Sequence, residues 1–208
     1  NIKENDQYGI LEVGMDKKGE IDYLTRIIEP NIGVITNINY AHAKNFKNIK
    51  QIALAKSEII NNIKSNGSII LNADDKFFKL HKQISQKKNL KLISFGIKSN
   101  RADIKLIDIK SFGKNFKIKI RFMNKIKYFI ISDDYQNNIY NILSALAVIS
   151  VNLNIFSLNQ NIFLNFRIPD GRGDHSLIKI NNKKINLIDE SYNSNPLSLS
   201  SAIKNFDK

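Results

Sequence analysis

The sequence predicts an α/β fold: a mostly parallel sheet flanked by helices, with a small antiparallel β-meander added to it. Three observations carry that reading. Short apolar runs without polar alternation recur at 8–13, 32–38, 67–71 and 90–95, as in strands buried on both faces. Stretches with helical spacing of apolar residues separate them, at 20–28, 52–63 and 77–84. The period then changes to two, where Phe116, Ile118, Ile120 and Phe122 alternate with Lys117, Lys119 and Arg121.

In order, the run 8–13 (YGILEV) is expected to be the first strand, with Glu12 near its C-terminal end and Gly14 after it. Pro30 closes the helix at 20–28, because proline cannot continue a helical ladder. The run at 32–38 leads through Asn37 and Asn39 into a loop with His42. The next helix, 52–63, places Ile52, Ile59, Ile60 and Ile63 on one face. Lys56 lies four residues after Ile52 and three before Ile59, so its stem emerges from that apolar face. The third strand, 67–71, ends in Asn72, Ala73, Asp74 and Asp75. Turn residues at 113–115 and Asn124 bracket the meander strand. Helices are expected at 138–151, with Ile142, Ala145, Leu146 and Ile149 inward, and at 158–166. Two strands, 177–180 and 185–188, flank a turn at Asn181-Asn182, and Asn195-Pro196 suits the start of a last helix.

Composition limits the functional classes. With 42% hydrophobic and 25% charged residues the chain is globular in character, and with no cysteine it has neither disulfides nor thiolate metal ligands. No apolar run approaches the roughly 20 residues that span a bilayer. The N-terminal stretch lacks a signal-peptide profile, and the chain is expected to start inside a longer reading frame. A formal charge of +13 raises nucleic-acid binding, but five of the 32 basic residues are arginine and the lysines are scattered rather than grouped. A solvated basic surface accounts for that pattern.

In parallel sheets, ligands bind beyond the C-terminal strand ends. Here those ends carry Glu12, then Asn37 with His42, then Asn72 with Asp74 and Asp75. The glycine pairs Gly9/Gly14 and Gly14/Gly19 are not followed by the lysine and hydroxyl of a phosphate-binding loop. What remains is a carboxylate and an imidazole able to share a hard cation, with a lysine nearby. An ammonium would be repelled by that cation, whereas its neutral amine, once carbamylated by CO₂, would be an anionic oxygen ligand. An i,i+4 partner or a surface escape for Lys56 is the plainer alternative.

Six stretches occur in an order that resembles the Mur ligases: LEVGM (11–15), GEIDYL (19–24), VITNINYAHAKNF (34–46), ALAKSEI (53–59), LNADD (71–75) and DESYNSNP (189–196). SYNSNP is most similar to the branch that adds D-alanyl-D-alanine rather than one amino acid. The resemblance implies a P-loop NTPase-like central domain at 1–195 lacking its phosphate-loop segment. Residues 196–208 would then be a helix leading towards a further domain. It implies ATP and two Mg²⁺ ions, Glu12 binding one and His42 with carbamylated Lys56 the other. Lys56 and His42 would be catalytic, Asn193 and Asn195 would lie beside the nucleotide base, and Arg172 would match a family position in the same cofactor site. The implied substrates are UDP-N-acetylmuramoyl-tripeptide and D-alanyl-D-alanine, joined through an acyl phosphate. No nucleic acid or membrane partner is implied, and the protein would be a cytoplasmic monomer. Tyr135-Gln136-Asn137, before Asn138 and Asn141, depart from the glycine and histidine usual in the family. Another ligase of the superfamily, such as a folylpolyglutamate synthase, or a non-catalytic basic binding domain are the rival readings. The 208-residue chain by itself is expected not to ligate: D-alanyl-D-alanine-dependent ADP release by the purified chain should be at background.

Overall fold

The structure, a computed structural model, describes residues 3–39, 45–132, 136–166, 171, 174–189, 191–192, 199–200 and 203. Its centre is a six-stranded sheet with the strands side by side in chain order. The strands are β1 (Ile32–Ile35), β2 (Ser68–Asn72), β3 (Lys91–Gly96), β4 (Ile104–Phe112), β5 (Asn115–Phe122) and β6 (Lys125–Ile131). The pairs β1–β2, β2–β3 and β3–β4 are parallel; β4–β5 and β5–β6 are antiparallel. The expected α/β sheet and its meander are therefore one continuous sheet. A separate two-stranded sheet joins β7 (Asp174–Ile180) to β8 (Lys183–Asp189). Its turn residues Asn181 and Asn182 both have positive φ, 48° and 62°, as a two-residue hairpin loop requires.

Side-chain alternation along the strands divides the core into two layers. Ile70 faces one layer with Ile93, Phe95, Ile104, Ile118 and Ile120. Helix α5 (Gln136–Asn152) covers that layer with Ile139, Ile142, Leu143, Leu146 and Ala147. Ile69 and Leu71 face the other layer, which is filled by Ile35, Ile52, Ala55, Ile60 and Ile63. Helices α1 (Glu20–Ile28), α2 (Ile49–Lys56), α3 (Glu58–Asn61) and α4 (Phe78–Lys87) contribute to this second side. All five residues of β2 are buried.

The helix expected over 52–63 is divided at Ser57 into α2 and α3, and Ser57 Oγ donates to the Leu54 carbonyl at 2.6 Å. The division places Glu58 against the start of α1. Its carboxylate accepts from Gly19 N through both oxygens at 3.0 Å and from Asp22 N at 3.2 Å. An anion is thereby supplied to the unsatisfied amides of a helix N-terminus.

Three sequence expectations are corrected. Residues 8–13 form no strand, and Ile10 is 97% exposed. β1 pairs only with β2 among the described residues, so this apolar run has no ladder to join and no second layer to cover it. Only Val13 and Met15, at its end, reach the core. Residues 158–166 form turns, preceded by a 3₁₀ turn at Ile155–Ser157, rather than a helix. The bonds here run three residues back, Ile162 N to Asn159 O, Leu164 N to Asn161 O and Phe166 N to Phe163 O, and make successive turns rather than a helical ladder. On α5, Ile142 and Leu146 are buried and Ile149 packs against the core as expected, whereas Ala145 is exposed.

Gly67 precedes β2 where two loops meet. A Cβ there would lie 2.6 Å from the Asn31 carbonyl oxygen and 2.8 Å from that of Lys64. These are backbone atoms fixed by the bonds Ser68 N to Asn31 O and Lys64 N to Pro30 O. Gly67→Ala is expected to destabilise the fold by about 1–3 kcal/mol, read as a lowered urea midpoint with an unchanged m-value.

Candidate functional site

The C-terminal ends of β1, β2 and β3 lie side by side, and the polar residues that follow them form one hydrogen-bonded group. The registered ladder between β1 and β2 ends at Ile35 and Leu71. Beyond it, Asn72 Nδ2 donates to Thr36 O at 3.0 Å, and Asp75 Oδ2 accepts from Ile38 N at 2.8 Å. The other Asp75 oxygen accepts from Phe77 N at 2.7 Å at the start of the turn into α4. Asp74 N donates to Asn72 Oδ1 at 2.9 Å, so the turn is braced internally.

Asp74 turns the other way. Its carboxylate accepts from the amides of Ile97, Lys98 and Ser99 at 2.6, 2.9 and 2.6 Å and from the Tyr140 hydroxyl at 2.8 Å. Partial burial pushes its carboxyl up, but the three amides and the phenol outweigh that and hold it below the usual aspartate value. One carboxylate thus joins the end of β2, the loop after β3 and the start of α5.

Lys56 occupies the last turn of α2, where a cation suits the helix dipole. Its Nζ donates to the Asn37 carbonyl at 3.3 Å. Lost solvation pushes its pKa down, and the charge of Asp75 pulls it partly back. The lysine is half-buried, and its bond to Asn37 lies on the solvent side. Behind it, buried His81 on α4 bonds through Nε2 to the carbonyl of Ala53 on α2 at 3.0 Å. Nε2 is the donor, since a carbonyl can only accept.

Of the residues singled out from sequence, Lys56 and Glu12 lie within the described structure; His42, Arg172, Asn193 and Asn195 lie outside it. Glu12 is exposed, and among the described residues no hydrogen bond or ion pair joins it to Lys56. The described residues contain no cluster of three or more histidine, aspartate or glutamate side chains arranged for a metal. The sequence marked Asn72, Asp74 and Asp75 as a polar strand end without dividing their tasks. It gave no sign of His81, whose partner lies 28 residues away. The lysines of the meander pack on aromatic rings, Lys117 on Phe112 and Tyr128 and Lys125 on Phe156, which accords with a solvated basic surface.

A mostly parallel sheet with helices on both faces makes this an α/β domain, of the kind that binds ligands beyond its strand ends, where the half-buried Lys56 lies. The family model of the Mur ligase middle domain matches residues 1–149, and the chain belongs to that family. A UDP-N-acetylmuramoyl-tripeptide–D-alanyl-D-alanine ligase of Rickettsia prowazekii is 31% identical over 98% of this chain and 44% of its own length. The chain therefore spans less than half of that relative. Among solved structures, a crystal structure of MurF from Acinetobacter baumannii superposes with a TM-score of 0.78 at 22% identity, over 98% of this chain and 43% of that one. The MurF ligase of Thermotoga maritima, in complex with ADP, gives 0.72 at 22% identity, over 90% and 41%. At these identities the two structures establish the fold. Among the described residues no helix is long and apolar enough to cross a membrane.

Burial pushes the His81 pKa below its ordinary value of 6.5, with Ala53 O and Asp75 opposing and Lys56 adding to the shift. The unfolded chain therefore takes up a proton first as pH falls, and the folded state loses stability from about pH 6.5 downward. His81→Gln keeps an amide donor for Ala53 O and has nothing to titrate. Its urea midpoint should be flatter than that of the unaltered chain between about pH 6.5 and 5.

Proposed function

We propose that this chain is the ATP-handling part of a ligase that adds D-alanyl-D-alanine to UDP-N-acetylmuramoyl-tripeptide in peptidoglycan synthesis. The observation that carries this reading is Lys56. It is the lysine of ALAKSEI, half-buried at the edge where parallel sheets bind ligands, in a chain aligned over 98% of its length with a relative of that name. Residues 1–195 would be the ATP-binding unit, and 196–208 a helix leading out of it. The whole protein would be a cytoplasmic monomer.

The donor set decides whether Mg²⁺ fits. As an ammonium, Lys56 repels a divalent cation. As a carbamate it offers anionic oxygens, which together with the Glu12 carboxylate are hard ligands of the kind Mg²⁺ takes. The step is balanced: the neutral amine attacks CO₂, an N–C bond forms, and one proton leaves to solvent. The lowered pKa of Lys56 supports it, because more of the amine is then neutral near pH 7. Glu12 would hold one Mg²⁺, and His42 with carbamylated Lys56 the second. Bound Mg²⁺ would offset the negative charge of the phosphoryl group being transferred.

In the proposed reaction the terminal carboxylate of the tripeptide attacks the γ-phosphorus of ATP, and ADP leaves. The amine of D-alanyl-D-alanine adds to the acyl phosphate, a tetrahedral intermediate forms, and phosphate departs as the amide is made. The part played by this chain is positioning: Asn193 and Asn195 beside the nucleotide base, Arg172 near them, and Lys56 and His42 at the transferring phosphoryl group.

The test uses the complete protein expressed from the whole reading frame. With ¹³C-labelled bicarbonate it should show a carbamate carbon resonance that Lys56→Gln abolishes. The same substitution should reduce D-alanyl-D-alanine-dependent ADP release by at least about 100-fold. Retention of activity by Lys56→Gln would overturn the assignment.

A further inference from the structure

The pair Asn72 and Asp75 does more than end a strand. We infer that their side chains are positioning residues for Lys56, acting as a clamp that continues the sheet beyond its last backbone bonds and presents the Asn37 carbonyl to the lysine. This inference rests on the metal-binding role proposed for Lys56.

The geometry follows from strand periodicity. In an extended chain the C=O of residue i and the N–H of residue i+2 leave from the same edge, while the groups of residue i+1 leave from the opposite one. Thr36 O receives Asn72 Nδ2, and Ile38 N donates to Asp75 Oδ2, so both face β2. On that periodicity the carbonyl of Asn37, between them, would face away from β2, and Lys56 Nζ donates to it. β2 supplies no backbone groups here because its ladder with β1 ended at Leu71. Two side chains take their place, and both are themselves fixed: Asn72 is buried and braced by Asp74 N, and Asp75 also holds Phe77 N. A displacement of the 36–38 backbone would therefore be transmitted to Nζ through one hydrogen bond. The charge of Asp75 also favours the ammonium form of Lys56.

Asp75→Asn and Asn72→Asp separate the clamp from the fold. The asparagine keeps one acceptor and cannot serve Ile38 N and Phe77 N as a carboxylate does. The aspartate keeps the acceptor for Asp74 N but puts an oxygen against Thr36 O. In the complete protein, each variant should raise the Mg²⁺ concentration for half-maximal ADP release by about tenfold or more, as loss of ligand-orienting groups generally does. kcat at saturating Mg²⁺ should change less. Without Mg²⁺ or nucleotide, the Ile38 amide should exchange with deuterium at least about tenfold faster in Asp75→Asn, while core amides of β2 stay protected. If folded variants keep the Mg²⁺ dependence of the parent while Lys56→Gln is inactive, the clamp is overturned and the proposed role of Lys56 stands. If Lys56→Gln is itself active, that role fails and the inference fails with it.

Discussion

The structure depends on the complete burial of β2. Every residue from Ser68 to Asn72 is enclosed, with strands on both edges and side-chain layers on both faces. A buried strand cannot leave its last polar groups unpaired, because each unsatisfied amide or carbonyl costs about 1–3 kcal/mol. Asp75 N donates to the Asn72 carbonyl and Ala73 N to Phe95 O, while the side chains of LNADD reach three neighbours: the exit of β1, the loop after β3 and the first turns of α5. The side chains at and after the end of β2 fix the backbone after β1, the edge at which Lys56 lies. Stability and site geometry thus share the same residues.

The tolerance for error at this edge is small for the same reason. Asp74 and Asp75 are neighbours in sequence yet serve opposite sides, one towards β3 and α5, the other towards β1 and α4. Two carboxylates so close would repel each other in a dry setting. Each is instead surrounded by backbone amides. Amide dipoles meet both carboxylates, and Asp75 also feels the charge of Lys56.

Much of the fold was legible because it is written in local periods. The helix at 20–28 and the strands at 67–71 and 90–95 were read within a residue or so, since apolar spacing alone fixes them. The failures have one physical cause, which is that periodicity reports what a segment could bury and not what stands beside it. Residues 8–13 have the composition of a buried strand and lack a ladder; 158–166 have apolar residues but close into successive turns. At the site, Lys56 was visible because a charge on an apolar helix face breaks a pattern. His81 was not, because its only signal is contact with a carbonyl 28 residues away.

Burial lowers the Lys56 pKa, but two of its neighbours favour the cation. The Asn37 carbonyl accepts from its ammonium, and the Asp75 charge favours the protonated form. Carbamylation would put a negative charge on the new oxygens, which the Asp75 charge would oppose, while the N–H left on Nζ could still donate to the Asn37 carbonyl. A carbamate in this setting is therefore unfavourable unless a divalent cation arrives with it, and the cation is equally unfavourable beside an ammonium. Each event removes the obstacle to the other, so CO₂ and Mg²⁺ should bind with positive coupling, which by linkage is the same in both directions. On the proposed reading, Asp75 then has a second consequence beyond its grip on Ile38. By favouring the ammonium in the metal-free state, it makes a metal-free carbamate rare and ties the anionic ligand to the presence of the ion it serves.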